Sequence, residues 1–138
     1  KKNSIPYLII DTRKRYYEND IISNIKKYNI SFICLAGYMK IISKKLITNI
    51  KKKIINIHPS LLPKFKGLNT FKRVIENNEI KTGCTVHYVN EKLDSGKIIL
   101  QKSFYINKND NEKILKEKTQ ALEHKSFSEA LIKIFRYN

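Results

Sequence analysis

The amino-acid sequence predicts an α/β fold, a mostly parallel sheet followed by an antiparallel hairpin and a long C-terminal helix. Short apolar runs rich in β-branched residues alternate with stretches of helical periodicity, the pattern of strands joined by crossover helices. Near the end, two strand-like runs flank a turn at Leu93–Gly96 (LDSG), and a long amphipathic stretch follows.

Taken in order, Tyr7–Ile10 is an apolar run suited to a strand or extended segment. Asp11 or Thr12 predicts a helix cap, with the helix running to about Tyr28 and Ile21, Ile22 and Ile25 on its inner face. Ser31–Ala36 (SFICLA), ended by Gly37, reads as a buried parallel strand. Ser43 predicts the cap of a helix to about Ile50, with Leu46, Ile47 and Ile50 inward. Ile54–Ile57 is a strand halted at His58-Pro59, because proline gives no N–H to a ladder. Two prolines and a glycine make Leu61–Leu68 a loop. Thr70–Asn78 fits a helix, Thr82–Val89 a strand, and Lys97–Tyr105 its hairpin partner. Asn109–Asn111 opens the last helix, which carries Ile114, Leu115, Leu122, Phe127, Leu131, Ile134 and Phe135. No repeat or linker divides residues 1–138, so they read as one domain. In such sheets reactive groups collect beyond the carboxyl ends of the strands, here Gly37–Ile42, Asn56–Pro59 and the Asp94 turn.

The formal net charge is +16 over 138 residues. Phosphate-binding surfaces gather their lysines on one stripe with aromatics interleaved. Here the lysines are scattered through every segment, amid abundant Ile, Asn and Tyr, which argues for compositional bias and against a nucleic-acid partner. A positive field still draws small anionic substrates. No apolar run nears the roughly 20 residues of a membrane span. The opening residues 1–6 lack the layout of a secretory leader. Cys34 and Cys84 lie far apart and read as reduced thiols, so a cytoplasmic location is expected. The three histidines, His58, His87 and His124, lack partners at metal-ligand spacing, so no metal is expected.

Chemistry concentrates in Ile55–Pro63 (INIHPSLLP). Asn56 and His58, two apart in an extended stretch, project from one side of the strand end. An amide donor beside an imidazole suits oxyanion stabilisation combined with proton transfer. Spacing alone favours a local turn network for this pair. Asp94 likewise reads as an ordinary turn residue, unless the fold brings it to His58, where a carboxylate would favour the imidazolium.

Four blocks, LAGYMKIIS (Leu35–Ser43), INIHPSLLPKFKGLNT (Ile55–Thr70), GCTVHYVNEKLDSGKIILQ (Gly83–Gln101) and QALEH (Gln120–His124), resemble the folate-dependent glycinamide ribonucleotide formyltransferases in order and spacing. HPSLLP alone marks the wider formyltransferase superfamily, whereas GLNT and the late Gln-x-x-Glu-His point to the ribonucleotide enzymes. The resemblance implies a Rossmann-like sheet and transfer of a formyl group from 10-formyltetrahydrofolate to glycinamide ribonucleotide in purine synthesis. It assigns a catalytic triad to Asn56, His58 and Asp94. It assigns an apolar folate slot to Leu35, Met39, Lys40, Ile41, Ile42, Ile47 and Ile54. Asn90, Glu91 and Leu93, in the loop leading to Asp94, would offer backbone groups to the pterin, and Arg13 would meet the folate tail. Gln120 and Glu123 would contact the ribonucleotide, with Thr85 and His87 supporting the triad.

Three departures accompany the resemblance. The family's N-terminal strand and Gly-Ser-Asn loop, which hold the substrate phosphate, have no counterpart among the isolated glycines Gly37, Gly67, Gly83 and Gly96. That implies absent N-terminal strands, an exposed sheet edge, and poor folding or slow turnover of the chain alone. Asn69-Thr70-Phe71 stands where the family often has His-Thr-His, and Lys40 replaces a frequent arginine. Alternatives are methionyl-tRNA formyltransferase, formyltetrahydrofolate deformylase, and a folate-binding module without full activity.

Overall fold

A computed structural model describes residues 4–50 and 53–136; residues 1–3, part of the opening segment read for a leader, lie outside the described residues. The chain forms α1 (Tyr17–Lys27), β1 (Phe32–Leu35), α2 (Lys44–Ile50), β2 (Lys53–His58), α3 (Thr70–Glu76), β3 (Lys81–Tyr88), β4 (Ile98–Tyr105) and α4 (Glu112–Arg136). The strands lie in the order β1-β2-β3-β4. β1 and β2 are parallel, joined through α2, while β2–β3 and β3–β4 are antiparallel. Among the described residues the sheet is therefore mixed, with the parallel part confined to β1–β2 and the expected C-terminal hairpin formed by β3 and β4.

Alternation along the strands explains why both faces are covered. Successive residues point to opposite faces. Ile54 joins Ile22, Leu46 and Ile50 beneath α1 and α2, while its neighbour Ile55 joins Val86, Ala130 and Ile134 beneath α4. β1 repeats the pattern: Ile33 packs on the first cluster, and Phe32 packs on the second with its ring edge-to-face against Phe135 at 5.1 Å. Thr82–His87 of β3 are buried without a break: Cys84 and Val86 lie against α4, while Thr85 and His87 lie against Ser60, Leu62 and Asp94. Burying a side chain such as Val86 contributes about 2 kcal/mol.

Helix starts follow their caps. Ser43 Oγ accepts the Leu46 N–H at 3.0 Å and, with its own N–H, is held by the Glu18 carboxylate. Asn111 Oδ1 accepts the Ile114 N–H at 3.0 Å at the head of α4. The expected cap at Asp11 or Thr12 is not formed, and α1 begins at Tyr17. Asp11 is instead committed to a turn, accepting the Arg13 N–H at 3.0 Å and pairing with the Arg13 guanidinium at 2.9 Å. Tyr7–Ile10 forms no strand, and Tyr7, Leu8 and Ile9 are exposed.

Candidate active site

The register of the sheet builds the site. Asn56 on β2 lies opposite His87 on β3, and His58 lies opposite Thr85, which in turn faces Gln101 on β4. The turn after β3 brings in Asp94. Its carboxylate sits between two imidazoles, with Oδ2 3.4 Å from His58 Nδ1 and Oδ1 3.6 Å from His87 Nε2. All three side chains are buried. Asn56 Nδ2 lies 3.4 Å from His87 Nε2. Asn56, His58, Asp94 and His87 thus form one cluster, which the spacing of Asn56-x-His58 alone did not disclose.

The loop after His58 closes over the cluster. The Phe65 carbonyl lies 2.9 Å from His58 Nε2, and the Gly67 N–H donates to Asp94 Oδ2 at 2.8 Å. Both nitrogens of His58 therefore face atoms that only accept, a carboxylate and a carbonyl, an arrangement satisfied by the doubly protonated ring. His87 differs: burial holds its imidazole below the ordinary value, against the raising effects of the Tyr88 carbonyl and Asp94. A neutral His87 donates from Nδ1 to the Tyr88 carbonyl at 2.9 Å and leaves Nε2 to accept from Asn56. Asp94 itself takes a left-handed backbone at φ 45°.

Behind His58, the Thr85 hydroxyl is a hub. It donates to the Ser60 carbonyl at 2.6 Å and accepts from the Leu62 N–H at 3.1 Å and Gln101 Nε2 at 2.8 Å. Gln101 also donates to the Leu62 carbonyl at 2.8 Å. Gln101, the Phe65 carbonyl and the Gly67 N–H escaped the sequence reading. Two of these are backbone groups without a residue signature, and Gln101 is visible only as the cross-strand partner of Thr85.

The expected folate residues divide. Leu35, Ile42 and Ile54 line a small apolar cavity of about 50 Å³ with Tyr38 and α1 residues. Ile47 is half-buried outside that lining, and Met39 and Ile41 are 73% and 72% exposed. Lys40 Nζ donates to the Thr12 carbonyl at 2.7 Å and lies over the Tyr17 ring. Arg13 is occupied by Asp11, and Glu91 pairs with Lys44 at 3.3 Å. Asn90 Oδ1 accepts the Lys92 N–H, and Leu93 is half-exposed beside Gly67. On α4, Gln120 is exposed and Glu123 half-buried, with burial pushing its carboxyl above the ordinary value. A larger recess of about 290 Å³ opens between α1 and α2, lined by Ile22, Lys26 and Asn49 and by none of the expected site residues. Among the described residues no three His, Cys, Asp or Glu side chains gather as metal ligands, and no helix is long and apolar enough to cross a membrane.

Comparison with known proteins identifies the family. Residues 2–131 match the formyl transferase family. The chain is 40% identical over 134 residues to the trifunctional purine biosynthetic protein adenosine-3 of Drosophila pseudoobscura pseudoobscura, covering 94% of this chain and 10% of that protein. It superposes on phosphoribosylglycinamide formyltransferase from Campylobacter jejuni with a TM-score of 0.87 at 36% identity, covering 97% of this chain and 71% of that one. The enzyme of the same name from Bacillus halodurans gives 0.83 at 39% identity, over 88% and 62%. The chain spans about a tenth of the Drosophila relative and under three quarters of these solved chains. By sequence and by fold, the chain belongs to the formyl transferase family.

Proposed function

We propose that this chain carries the formyl-transfer site of a glycinamide ribonucleotide formyltransferase, with 10-formyltetrahydrofolate as donor and purine synthesis as its setting. The observation that carries the reading is the Asn56–His58–Asp94 cluster at the carboxyl end of β2, with His58 and Asp94 buried. The substrate amine attacks the formyl carbon, a C–N bond forms, and negative charge develops on the formyl oxygen. One Asn56 N–H is directed at His87, which orients the amide and leaves its second N–H for that oxyanion. The oxyanion, a stronger acceptor than a neutral carbonyl, takes over the His58 Nε2–H that Phe65 holds in the free site. Asp94 supports the positive ring from Nδ1. The bond from the formyl carbon to the folate nitrogen then breaks, and a proton from the amine ends on that nitrogen.

The remaining expected residues fit as binding groups. The 50 Å³ cavity is well below the ~300–1,000 Å³ of ordinary ligand pockets, so a pterin ring needs cover beyond Leu35, Ile42 and Ile54. Exposed Met39 and Ile41 are apolar surface available for that cover. Gln120 and Glu123, three residues apart and on neighbouring faces of α4, suit hydroxyl recognition on the ribonucleotide. A cytoplasmic setting agrees with the free thiols of Cys34 and Cys84.

The test is an acceptor comparison in the protein that carries this chain, with 10-formyltetrahydrofolate and either glycinamide ribonucleotide, methionyl-tRNA or water. The ribonucleotide should be formylated, and His58→Gln should lower turnover by ~100-fold or more while folate affinity stays near native. Preferred formylation of methionyl-tRNA, or release of free formate, would overturn the reading.

A further inference from the structure

Arg73, in the last turn of α3, reaches back over the loop between β2 and α3. Its Nη1 donates to the Lys66 carbonyl at 2.6 Å and reaches the Leu68 carbonyl at 3.4 Å, while its guanidinium carbon lies 5.5 Å from the Phe65 ring centroid. The Lys66 carbonyl and the Gly67 N–H are two ends of one peptide plane. Arg73 holds one end, and Asp94 accepts from the other at 2.8 Å. The preceding peptide carries the Phe65 carbonyl that faces His58 Nε2. A single guanidinium thus grips the backbone that touches both the imidazole and the carboxylate of the site. The loop needs such a grip, since Phe65, Gly67 and Asn69 all have positive φ, at 55°, 78° and 55°. Non-glycine residues in that region persist only where surrounding contacts hold them.

We propose that Arg73 is a positioning residue for formyl transfer. Through the Lys66–Gly67 peptide it holds the Phe65 carbonyl on His58 and keeps the Nε2–H in place until the oxyanion takes it over. The inference rests on the proposed function for its kinetic consequence, though not for the hydrogen bond itself. The charged and titratable groups that meet His58 are Asp94 from the turn, at 3.4 Å, and His87 from β3, which itself also feels Lys66 of the loop. Arg73 faces the loop rather than the ring. Loss of Arg73 removes a positive charge, and by electrostatics alone that would favour a protonated ring and extend activity to higher pH. Loss of the Phe65 acceptor acts the other way. The direction of the change therefore separates the two causes.

The experiment compares native protein, Arg73→Ala and Lys64→Ala. The last is a control that breaks the exposed Lys64–Glu79 pair on the same loop. Two readouts are taken: the pH profile of kcat, and solvent exchange of the His58 Nε2–H in protein with 15N-labelled histidine. Arg73→Ala should lower kcat about 10-fold near neutral pH, move the alkaline limb to lower pH, and speed N–H exchange about 10-fold or more, with the folate KM within about 2-fold of native. Lys64→Ala should match native in both readouts. An Arg73→Ala protein with native exchange, or with its alkaline limb moved upward, overturns the proposal. If native protein transfers no formyl group, the functional reading fails, and the exchange rate alone still decides whether Arg73 holds this contact.

Discussion

Asn56 and His87 stand directly opposite each other across the antiparallel β2–β3 pair, with 3.4 Å between the amide nitrogen and the ring Nε2. An amide has two N–H bonds, so a neutral imidazole that takes one fixes where the other points. His87 therefore has to be uncharged for Asn56 to be set, and burial supplies that condition.

The same burial makes His87 a source of acid sensitivity. Its imidazole is held below the ordinary value in the folded chain, whereas in the unfolded chain it takes up a proton near pH ~6.5. The unfolded state then binds more protons, so the stability His87 confers is full above about pH 6.5 and is lost as pH falls below it. Denaturant melts at pH 7.5 and 5.5 should show this loss in native protein. A smaller loss is expected in His87→Asn.

Glu123 works with the opposite sign. Burial raises its carboxyl, with His124 opposing, so its favourable contribution is present at low pH and is lost as pH rises through the folded value. At neutral pH the charged carboxylate is a modest cost. Glu123→Gln should stabilise the fold at pH 7 by less than about 1 kcal/mol, given its partial exposure. It should also weaken ribonucleotide binding, measured by titration.

Thr85→Val replaces the hub hydroxyl with a methyl of similar size. The Leu62 N–H, the Ser60 carbonyl and one contact of Gln101 lose their partner inside the protein. A loss of roughly 2–3 kcal/mol is expected in urea unfolding, with most of it recovered in Thr85→Ser.

Gly96→Ala tests how firmly the turn aims Asp94. A Cβ at Gly96 would stand 1.6 Å from the Tyr88 carbonyl oxygen, so the turn must move. Asp94 is two residues away and should move with it. We expect kcat to fall about 10–100-fold although Gly96 bears no reacting group. Unchanged kcat would show that the turn absorbs the shift elsewhere.

The contrast between local and long-range features explains what the sequence disclosed. β2, the Ser43 cap, the helix opening at Asn109–Asn111 and the β3–β4 hairpin all rest on neighbours within a few residues, so local patterning was sufficient. The start of α1 failed because Asp11 had two local partners available, and Arg13 engaged it in a turn before a helix could use it. Asn56, His58 and Asp94 were nameable only through the family resemblance, since Asp94 reaches His58 across a hairpin register that one sequence does not state. Met39 and Ile41 were expected in an apolar slot and are found exposed, because Gly37 and its turn carry them off the end of β1. The grip of Arg73 was invisible for a simpler reason: its partners are carbonyl oxygens, which every residue has.

Asp94 sits at φ 45°, a region that Asn, Asp and Gly tolerate and most other residues avoid. Of those three, only Asp brings a charge to His58. Backbone shape and acid–base chemistry are separate filters here, and a single residue passes both. Glu would keep the charge but strain the turn, while Asn would keep the turn and silence the carboxylate. A lineage that drifted to Asn at this position would keep the shape of the turn and lose the chemistry, together with whatever stability the buried His58–Asp94 pair contributes.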